Sequence, residues 1–225
     1  MTTALIDEIE ILREIKDREH SQDCWQWACD QVQTIDEARQ CESPWPVDKV
    51  YLKELLDYYE AESLIAIPKS RRLMVSWSIA LWSTWRARYH PYNAILIQSE
   101  KEEKSAYVID KRCKYIEDHL IDPSMARSYH EIRTKAGMVG RMTYDDTGSY
   151  IQAIAQGADQ VRGYTLSALI MDECEIQEKA HAALAAALPL VEDSKNAKLI
   201  LIGTSNGPGG VLATMCRDVG FVKFS

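Results

Sequence analysis

The segment Ala168-Leu169-Ile170-Met171-Asp172-Glu173 narrows the possible folds of this chain more than any other. Its four apolar residues show no alternation with polar ones. A short run of this kind predicts a strand that is buried on both faces of a parallel sheet. The two carboxylates follow directly, so they should lie at the carboxyl end of that strand. Because ligands bind at this end of open α/β sheets, the segment predicts both an architecture and the location of a site.

Further apolar runs repeat this pattern and alternate with helical segments. The additional predicted strands cover residues 64–67, 94–97 and 198–202. The predicted helices cover residues 50–59, 76–89, 101–119 and 178–190. Short buried strands that alternate with crossover helices are typical of an α/β fold. We therefore expect a central, mainly parallel sheet flanked by helices.

Residues 140–154 depart from this alternation. Segments 142–144 and 150–154 flank the turn Asp145-Asp146-Thr147-Gly148, as the strands of a hairpin do. The pattern predicts an antiparallel addition to the sheet.

The N-terminal part has a charged, helical pattern, with apolar residues at three-residue steps from Ile6 to Ile15. The segment Ser43-Pro44-Trp45-Pro46-Val47-Asp48 interrupts it, because a residue that precedes proline is disfavoured in helical conformation. We therefore divide the chain into an N-terminal helical appendage, residues 1–42, and an α/β core, residues 43–225.

The composition is that of a folded globular protein, with 46% hydrophobic and 27% charged residues in a chain of 225. This length suits one large domain with a small appendage. The formal net charge is −8, so an isolated subunit should not bind DNA tightly and without sequence preference. Any contact with nucleic acid would be local or would require assembly.

The sequence also predicts a soluble protein that is not exported. Its apolar runs are shorter than the roughly 20 residues that a spanning helix needs, and residues 1–10 are acidic where a signal peptide is basic. The six cysteines include no C-x-x-C pair and have no histidine at zinc-finger spacing. Free thiols in a reducing compartment are the expectation.

The loop Lys69-Ser70-Arg71-Arg72-Leu73-Met74-Val75-Ser76 joins the strand at 64–67 to the helix at 76–89. A phosphate-binding loop belongs at a junction of this kind, where backbone N–H groups point out of a helix N-terminus. The loop also carries three cations for phosphate charge and, at Ser76, a hydroxyl for Mg²⁺. A basic surface turn is the alternative interpretation.

This loop departs from the G-x-x-x-x-G-K-[ST] pattern. With Ser76 aligned to the final hydroxyl, Lys69 stands at the first glycine, Met74 at the second and Val75 at the lysine. A Cβ atom at a glycine position restricts close approach to phosphate.

The two carboxylates suit the chemistry of nucleotide hydrolysis. Asp172 at the strand end could hold Mg²⁺, and Glu173 could accept a proton from an attacking water. Two acids that end a strand and begin a turn are the alternative.

Two other segments extend this pattern. Arg162-Gly163 precedes the acidic strand, and an arginine beside a glycine can reach the γ-phosphate of a neighbouring subunit as a finger. Gly203-Thr204-Ser205-Asn206 follows the strand at 198–202 and could sense that phosphate. A solvated arginine and a polar turn are the simpler alternatives. The order of loop, arginine, acidic strand and polar strand is the order in a P-loop ATPase of the additional-strand, catalytic-glutamate type.

These segments together resemble the large terminase subunits of tailed phages and related viruses. The resemblance lies in the Lys-Ser-Arg-Arg loop, in Arg-Gly before the acidic strand, in Met-Asp-Glu at its end and in Gly-Thr-Ser-Asn. It extends over residues 43–210 and implies that the core at 43–225 is a P-loop ATPase.

The resemblance implies a role for each matching residue. Glu173 is implied as the catalytic base, Arg162 as a finger acting in trans, and Asp172 with Ser76 as Mg²⁺ ligands. The implied nucleotide-binding residues are Lys69, Ser70, Arg71, Arg72, Leu73, Met74, Val75, Ser76, Thr204, Ser205, Asn206 and Trp45. Adenine is implied to lie near the segment Trp45 to Tyr51. Arg71 or Arg72 is implied to act catalytically at the phosphates.

The resemblance further implies ATP and Mg²⁺ as cofactors and the packaging of viral double-stranded DNA into a procapsid as the activity. The implied partners are the portal, the small terminase subunit and other copies of the chain in a ring, by resemblance a pentamer, in the host cytoplasm. Family members usually keep a glycine where Met74 stands. They also carry a C-terminal nuclease domain, for which the residues after Gly210 leave no room, so we expect no nuclease activity from this chain.

Two alternative functions remain open. A superfamily-2 helicase motor also has an Asp-Glu strand, but it needs a second motor domain. A nucleotide-binding assembly scaffold with no turnover would tolerate the altered loop.

Overall fold

The computed structural model describes residues 3–37, 39–70, 73–194, 196–204, 207, 209–218 and 220–224. The helices are α1 (Thr3–Gln22), α2 (Cys24–Gln31), α3 (Val50–Ala61), α4 (Val75–Tyr89), α5 (Glu102–Val108), α6 (Lys114–Asp118), α7 (Ala180–Glu192) and α8 (Val211–Met215). A π-helical turn, Ile109–Cys113, joins α5 to α6, and short 3₁₀ helices cover Pro123–Met125, Ala158–Gln160 and Cys174–Ile176.

The strands are β1 (Gln33–Asp36), β2 (Cys41–Pro44), β3 (Leu64–Pro68), β4 (Ala94–Ser99), β5 (Tyr129–Arg133), β6 (Val139–Tyr144), β7 (Tyr150–Ala155), β8 (Ala168–Met171), β9 (Lys198–Gly203) and β10 (Val222–Lys223). In the described part of the chain, eight strands form the central sheet in the order β10-β3-β9-β8-β4-β7-β6-β5. The six strands from β10 to β7 in this order are parallel, β6 is antiparallel to β7, and β5 is antiparallel to β6. The predicted α/β class is confirmed, as is the antiparallel addition at 140–154.

Strand β9 lies between β3 and β8 and is parallel to both. One strand therefore separates β3, which precedes the loop at 69–76, from the acidic strand β8. This is the additional-strand arrangement that the sequence predicted.

The acidic strand β8 is buried on both faces, which explains its unbroken apolar sequence. Ala168 and Ile170 belong to the hydrophobic cluster that includes α4, whereas Leu169 and Met171 belong to the cluster that includes α7. Successive side chains of a strand point to opposite faces, so each face needs an apolar residue at every second position. Helices cover the two faces accordingly.

The N-terminal 42 residues are only partly helical. Helices α1 and α2 agree with the prediction, but β1 and β2 form an antiparallel hairpin that was not predicted. Its turn residue Gln40 has a left-handed backbone (φ 53°) where glycine or asparagine is usual, so the sequence carries no hairpin signal there. Trp27 of α2 lies in the same hydrophobic cluster as α4.

An ion pair inside the protein connects the helices on one side of the sheet. The guanidinium of Arg88 in α4 contacts the carboxylate of Glu117 in α6, and the two side chains are 0% and 1% exposed. The same carboxylate accepts hydrogen bonds from the Tyr144 hydroxyl (2.9 Å) and the Arg127 N–H (2.7 Å). Burial raises the pKa of the Tyr144 hydroxyl well above its ordinary value, so this tyrosine remains a donor.

We predict that Glu117→Ala lowers the free energy of unfolding by about 3–5 kcal/mol, because it leaves a buried guanidinium without its counter-charge. Urea denaturation followed by circular dichroism measures the change. Asp57→Ala is the control, since Asp57 forms an exposed pair with Lys53 on α3 (2.9 Å), and such pairs contribute little. Equal effects of the two substitutions would contradict the prediction.

Candidate active site

The register of the parallel strands places the predicted site residues at one edge of the sheet. Pro68 of β3 pairs with Gly203 of β9, and Met171 of β8 pairs with Leu201. Backbone hydrogen bonds continue beyond the strands, from the Lys69 N–H to the Gly203 carbonyl (2.9 Å) and from the Asp172 N–H to the Gln98 carbonyl (2.9 Å). The first residues after β3, β8 and β9 therefore lie side by side.

Lys69 faces both carboxylates across this edge. Its Nζ lies 3.6 Å from Asp172 Oδ1 and 3.4 Å from Glu173 Oε1. The side chains of Lys69 and Asp172 are only 11% and 16% exposed, whereas that of Glu173 is 44% exposed. The structure thus brings together the start of the loop and the acidic pair, which are far apart in the sequence.

Asp172 occupies an environment that disfavours its charge. Burial raises the pKa of its carboxyl above the ordinary value; the charge of Lys69 opposes this shift, and the neighbouring carboxylate of Glu173 adds to it. Asp172 Oδ1 also accepts a hydrogen bond from the Glu173 N–H (3.1 Å). A buried carboxylate of this kind requires a cation beside it to remain ionised.

The chain turns sharply directly after the acidic strand. Glu173 has a left-handed backbone (φ 51°, ψ 44°) and precedes the 3₁₀ helix Cys174–Ile176. A left-handed conformation is costly for a non-glycine residue and is found where the surroundings fix the geometry.

Two glutamines that sequence reasoning missed hold this turn. Gln177 Nε2 donates to the Asp172 carbonyl (2.8 Å) and approaches the Gln98 carbonyl of β4 (3.4 Å). Gln98 is buried, and its Nε2 donates to the Ala155 carbonyl of β7 (3.2 Å). These amides link three neighbouring strands. The sequence contains no signal for them, because a glutamine five residues after the aspartate follows no known spacing.

Ser76, predicted as a Mg²⁺ ligand, lies in the first turn of α4. Its side chain is half-buried and forms no hydrogen bond with the described residues. Of the other loop residues, Ser70 and Leu73 are exposed, and the Val75 side chain is buried in the core. Val75 could therefore contribute only its backbone N–H to a phosphate.

Arg71 and Arg72, predicted to act at the phosphates, lie outside the described residues, as do Ser205 and Asn206 of the predicted coupling segment. Thr204 is described and exposed directly after β9.

Met74 adopts the backbone conformation that its position in the loop pattern reserves for glycine. It precedes α4 with φ 53° and ψ 16°, in the left-handed region. Lys49 Nζ lies 3.2 Å from its Sδ atom, and the Tyr51 hydroxyl donates to the Leu73 carbonyl (3.3 Å). The side chain also packs against the core. The loop therefore keeps the glycine-type turn without the glycine.

We predict that Met74→Gly is more stable than Met74→Ala by about 1 kcal/mol, because only glycine adopts the left-handed region without a steric penalty. Thermal unfolding of both variants tests this. At exposed Lys53 inside α3, the same pair of substitutions should show the opposite order, since alanine favours a helix. If the glycine and alanine variants had the same order of stability at both positions, the left-handed conformation of Met74 would not explain the difference.

Trp45, in the segment 45–51 near which the resemblance implies adenine, lies inside the protein. It is 2% exposed and belongs to the hydrophobic cluster around α4. From the same segment, Tyr51 contacts the loop instead.

Arg162 lies on the surface. Its side chain is 68% exposed and pairs with the exposed Asp159 at 3.3 Å, next to the 3₁₀ helix Ala158–Gln160. An arginine in this position is free to contact another molecule.

The described residues contain no cluster of three or more His, Cys, Asp or Glu side chains that could hold a metal ion. In a phosphate site, Mg²⁺ usually takes one or two protein ligands and completes its shell with phosphate oxygens and water. The Asp172 carboxylate and the Ser76 hydroxyl, both partly exposed, are donors of the kind that this ion takes. None of the described helices is both long and apolar enough to cross a membrane.

No protein-family model matches the sequence. Among solved structures, the large terminase of bacteriophage HK97 has a TM-score of 0.64 and 15% identity, over 90% of this chain and 43% of that one. The large terminase ATPase domain of Thermus phage P74-26 gives a TM-score of 0.56 and 12% identity, over 75% of this chain and 78% of that one.

The large terminase of a further thermophilic bacteriophage, in complex with ATP-γ-S, gives a TM-score of 0.52 and 13% identity, over 77% of this chain and 43% of that one. At such identities the similarity establishes the fold. The chain has the α/β fold of large terminase ATPase domains and spans less than half of the two longer terminases.

Proposed function

We propose that this chain hydrolyses ATP and that hydrolysis drives the packaging of double-stranded viral DNA into a procapsid. The observation that carries the proposal is the position of Lys69, at the start of a strand-to-helix loop and within 3.6 Å of Asp172 and 3.4 Å of Glu173. The fold of terminase ATPase domains supports it.

The proposed nucleotide site lies between the loop at 69–76 and the acidic pair. Phosphate oxygens would accept hydrogen bonds from N–H groups at the N-terminus of α4, and Lys69 with Arg71 and Arg72 would neutralise their charge. Asp172 and Ser76 would hold Mg²⁺, which neutralises charge on the β- and γ-phosphates when bound. The segment after β9, Thr204, Ser205 and Asn206, would sense whether the γ-phosphate is present.

Glu173 is the proposed general base. It is the more exposed of the two carboxylates and can reach solvent, whereas Asp172 is nearly buried. A base must lie within hydrogen-bond reach of the attacking water, and Glu173 is the carboxylate that stands at the left-handed turn directly after β8.

We predict that Glu173→Gln lowers kcat for ATP hydrolysis by at least about 100-fold and leaves nucleotide affinity within a few-fold, because the amide cannot accept the proton. Phosphate release measures turnover, and a fluorescent ATP analogue measures binding. Glu178→Gln is the matched control, since it removes the same charge from an exposed residue on the same connection. Near-normal turnover of Glu173→Gln would remove this residue as the base.

Arg162 is the proposed finger acting on a neighbouring subunit. Its exposure and its weak surface pairing with Asp159 suit a side chain that completes another copy's site. A ring of copies on the portal, acting with a small terminase subunit, would supply that neighbour; by resemblance the ring is a pentamer.

We predict that Arg162→Ala abolishes hydrolysis in assembled rings and barely changes the nucleotide affinity of the monomer. Mixing Arg162→Ala with Glu173→Gln subunits should restore part of the activity, because some interfaces then pair an intact finger with an intact base. Steady-state ATP turnover with DNA and procapsid measures this. No recovery under ring-forming conditions would contradict the assignment in trans.

Turnover and nucleotide binding, together with a strand-separation assay, distinguish this proposal from the alternatives. Nucleotide binding with no turnover in any assembly state would favour the scaffold. Strand separation coupled to hydrolysis would favour a helicase motor.

A further inference from the structure

We infer that, without nucleotide, the ammonium of Lys69 is the counter-ion of Asp172 and Glu173 and prevents a divalent cation from binding to them. When phosphate binds, Lys69 moves away from the two carboxylates. The inference deepens the proposed function, because it concerns the same site and explains why metal should enter only together with nucleotide.

The geometry puts one cation between two anions. Lys69 Nζ is 3.6 Å from Asp172 Oδ1 and 3.4 Å from Glu173 Oε1, so a single ammonium serves both carboxylates. The Lys69 backbone is fixed by its hydrogen bond to the Gly203 carbonyl (2.9 Å). The backbone position of Lys69 is therefore fixed, and its side chain reaches the two carboxylates across the end of β9.

Burial makes this arrangement necessary. Asp172 is 16% exposed and Lys69 is 11% exposed, so water solvates neither charge well. An ionised carboxylate in such surroundings requires a paired cation. A divalent ion at the same carboxylates would face the ammonium at short range, and like charges that close disfavour each other strongly where water is scarce. In this conformation, Lys69 and the metal compete for the same anions.

Phosphate supplies the means of release. Lys69 is the first residue of the loop that leads to the N-terminus of α4, where the phosphates are proposed to bind. Its flexible four-carbon side chain can turn from the carboxylates to a phosphate without moving the backbone. The carboxylates then lack a counter-ion and accept the divalent one. Nucleotide and metal should therefore strengthen each other's binding, with Lys69 carrying part of that coupling.

The test measures Mn²⁺ binding to the nucleotide-free protein by electron paramagnetic resonance, so it needs no catalytic activity. Lys69→Gln and Lys69→Met are expected to bind Mn²⁺ at least about tenfold more tightly than the wild type, since removing a nearby like charge favours the metal. Lys69→Arg, which keeps the charge, should resemble the wild type. Lys53→Gln, which removes an exposed lysine that pairs with Asp57 on α3, is the control and should not change binding.

Equal or weaker Mn²⁺ binding by folded Lys69→Gln and Lys69→Met would overturn the inference. So would a site in the nucleotide-free wild type that binds Mn²⁺ more tightly than about 0.1 mM and is lost in Asp172→Asn; this result does not depend on how the lysine variants fold. If the lysine variants gain Mn²⁺ affinity as expected but the wild type binds neither ADP nor ATP, the counter-ion role stands and the proposed ATPase function fails.

Discussion

Everything at the proposed site depends on the parallel register of β3, β9, β8 and β4. The middle positions of these strands are buried and apolar, and Lys69, Asp172 and Thr204 follow β3, β8 and β9 at one edge of the sheet. The hydrogen bonds from the Lys69 and Asp172 N–H groups extend that register one residue into the loops. Because side chains alternate between faces, a slip of one residue would send β8 side chains to the wrong cluster. The energetics of the core therefore fix the geometry of the carboxylates.

This dependence explains which parts of the molecule could be predicted from the sequence. The runs at 64–67, 94–97, 168–171 and 198–202 are apolar at every or nearly every position, and only a strand covered on both faces requires that. The hairpin at 140–154 has a glycine in its turn. By contrast, the β1–β2 turn uses Gln40 in a left-handed conformation, and edge strand β5 has an exposed Ile132, so neither shows the usual pattern.

The contacts within the site were less predictable than its location. That Lys69 meets the acidic pair depends on β9 lying between β3 and β8, which is a tertiary fact. Gln177 holds the Asp172 carbonyl through a turn whose shape follows from the left-handed Glu173. Trp45, an aromatic residue in a proline-flanked segment, is 2% exposed because its large apolar surface packs in the core. Residue type alone does not show which of these side chains lie in the core and which contact the site.

The left-handed Met74 also restricts how the loop could change over evolutionary time. The left-handed conformation of a glycine at this position would not depend on neighbouring side chains. That of methionine is stabilised by its packing and by its contact with Lys49. Substitutions at positions 49 and 74 should therefore be epistatic: a change that is neutral beside glycine becomes harmful beside methionine. A lineage that has lost the glycine must then conserve the surrounding side chains, or regain the glycine before they can vary. Substitutions in the loop and in the segment before α3 therefore constrain each other.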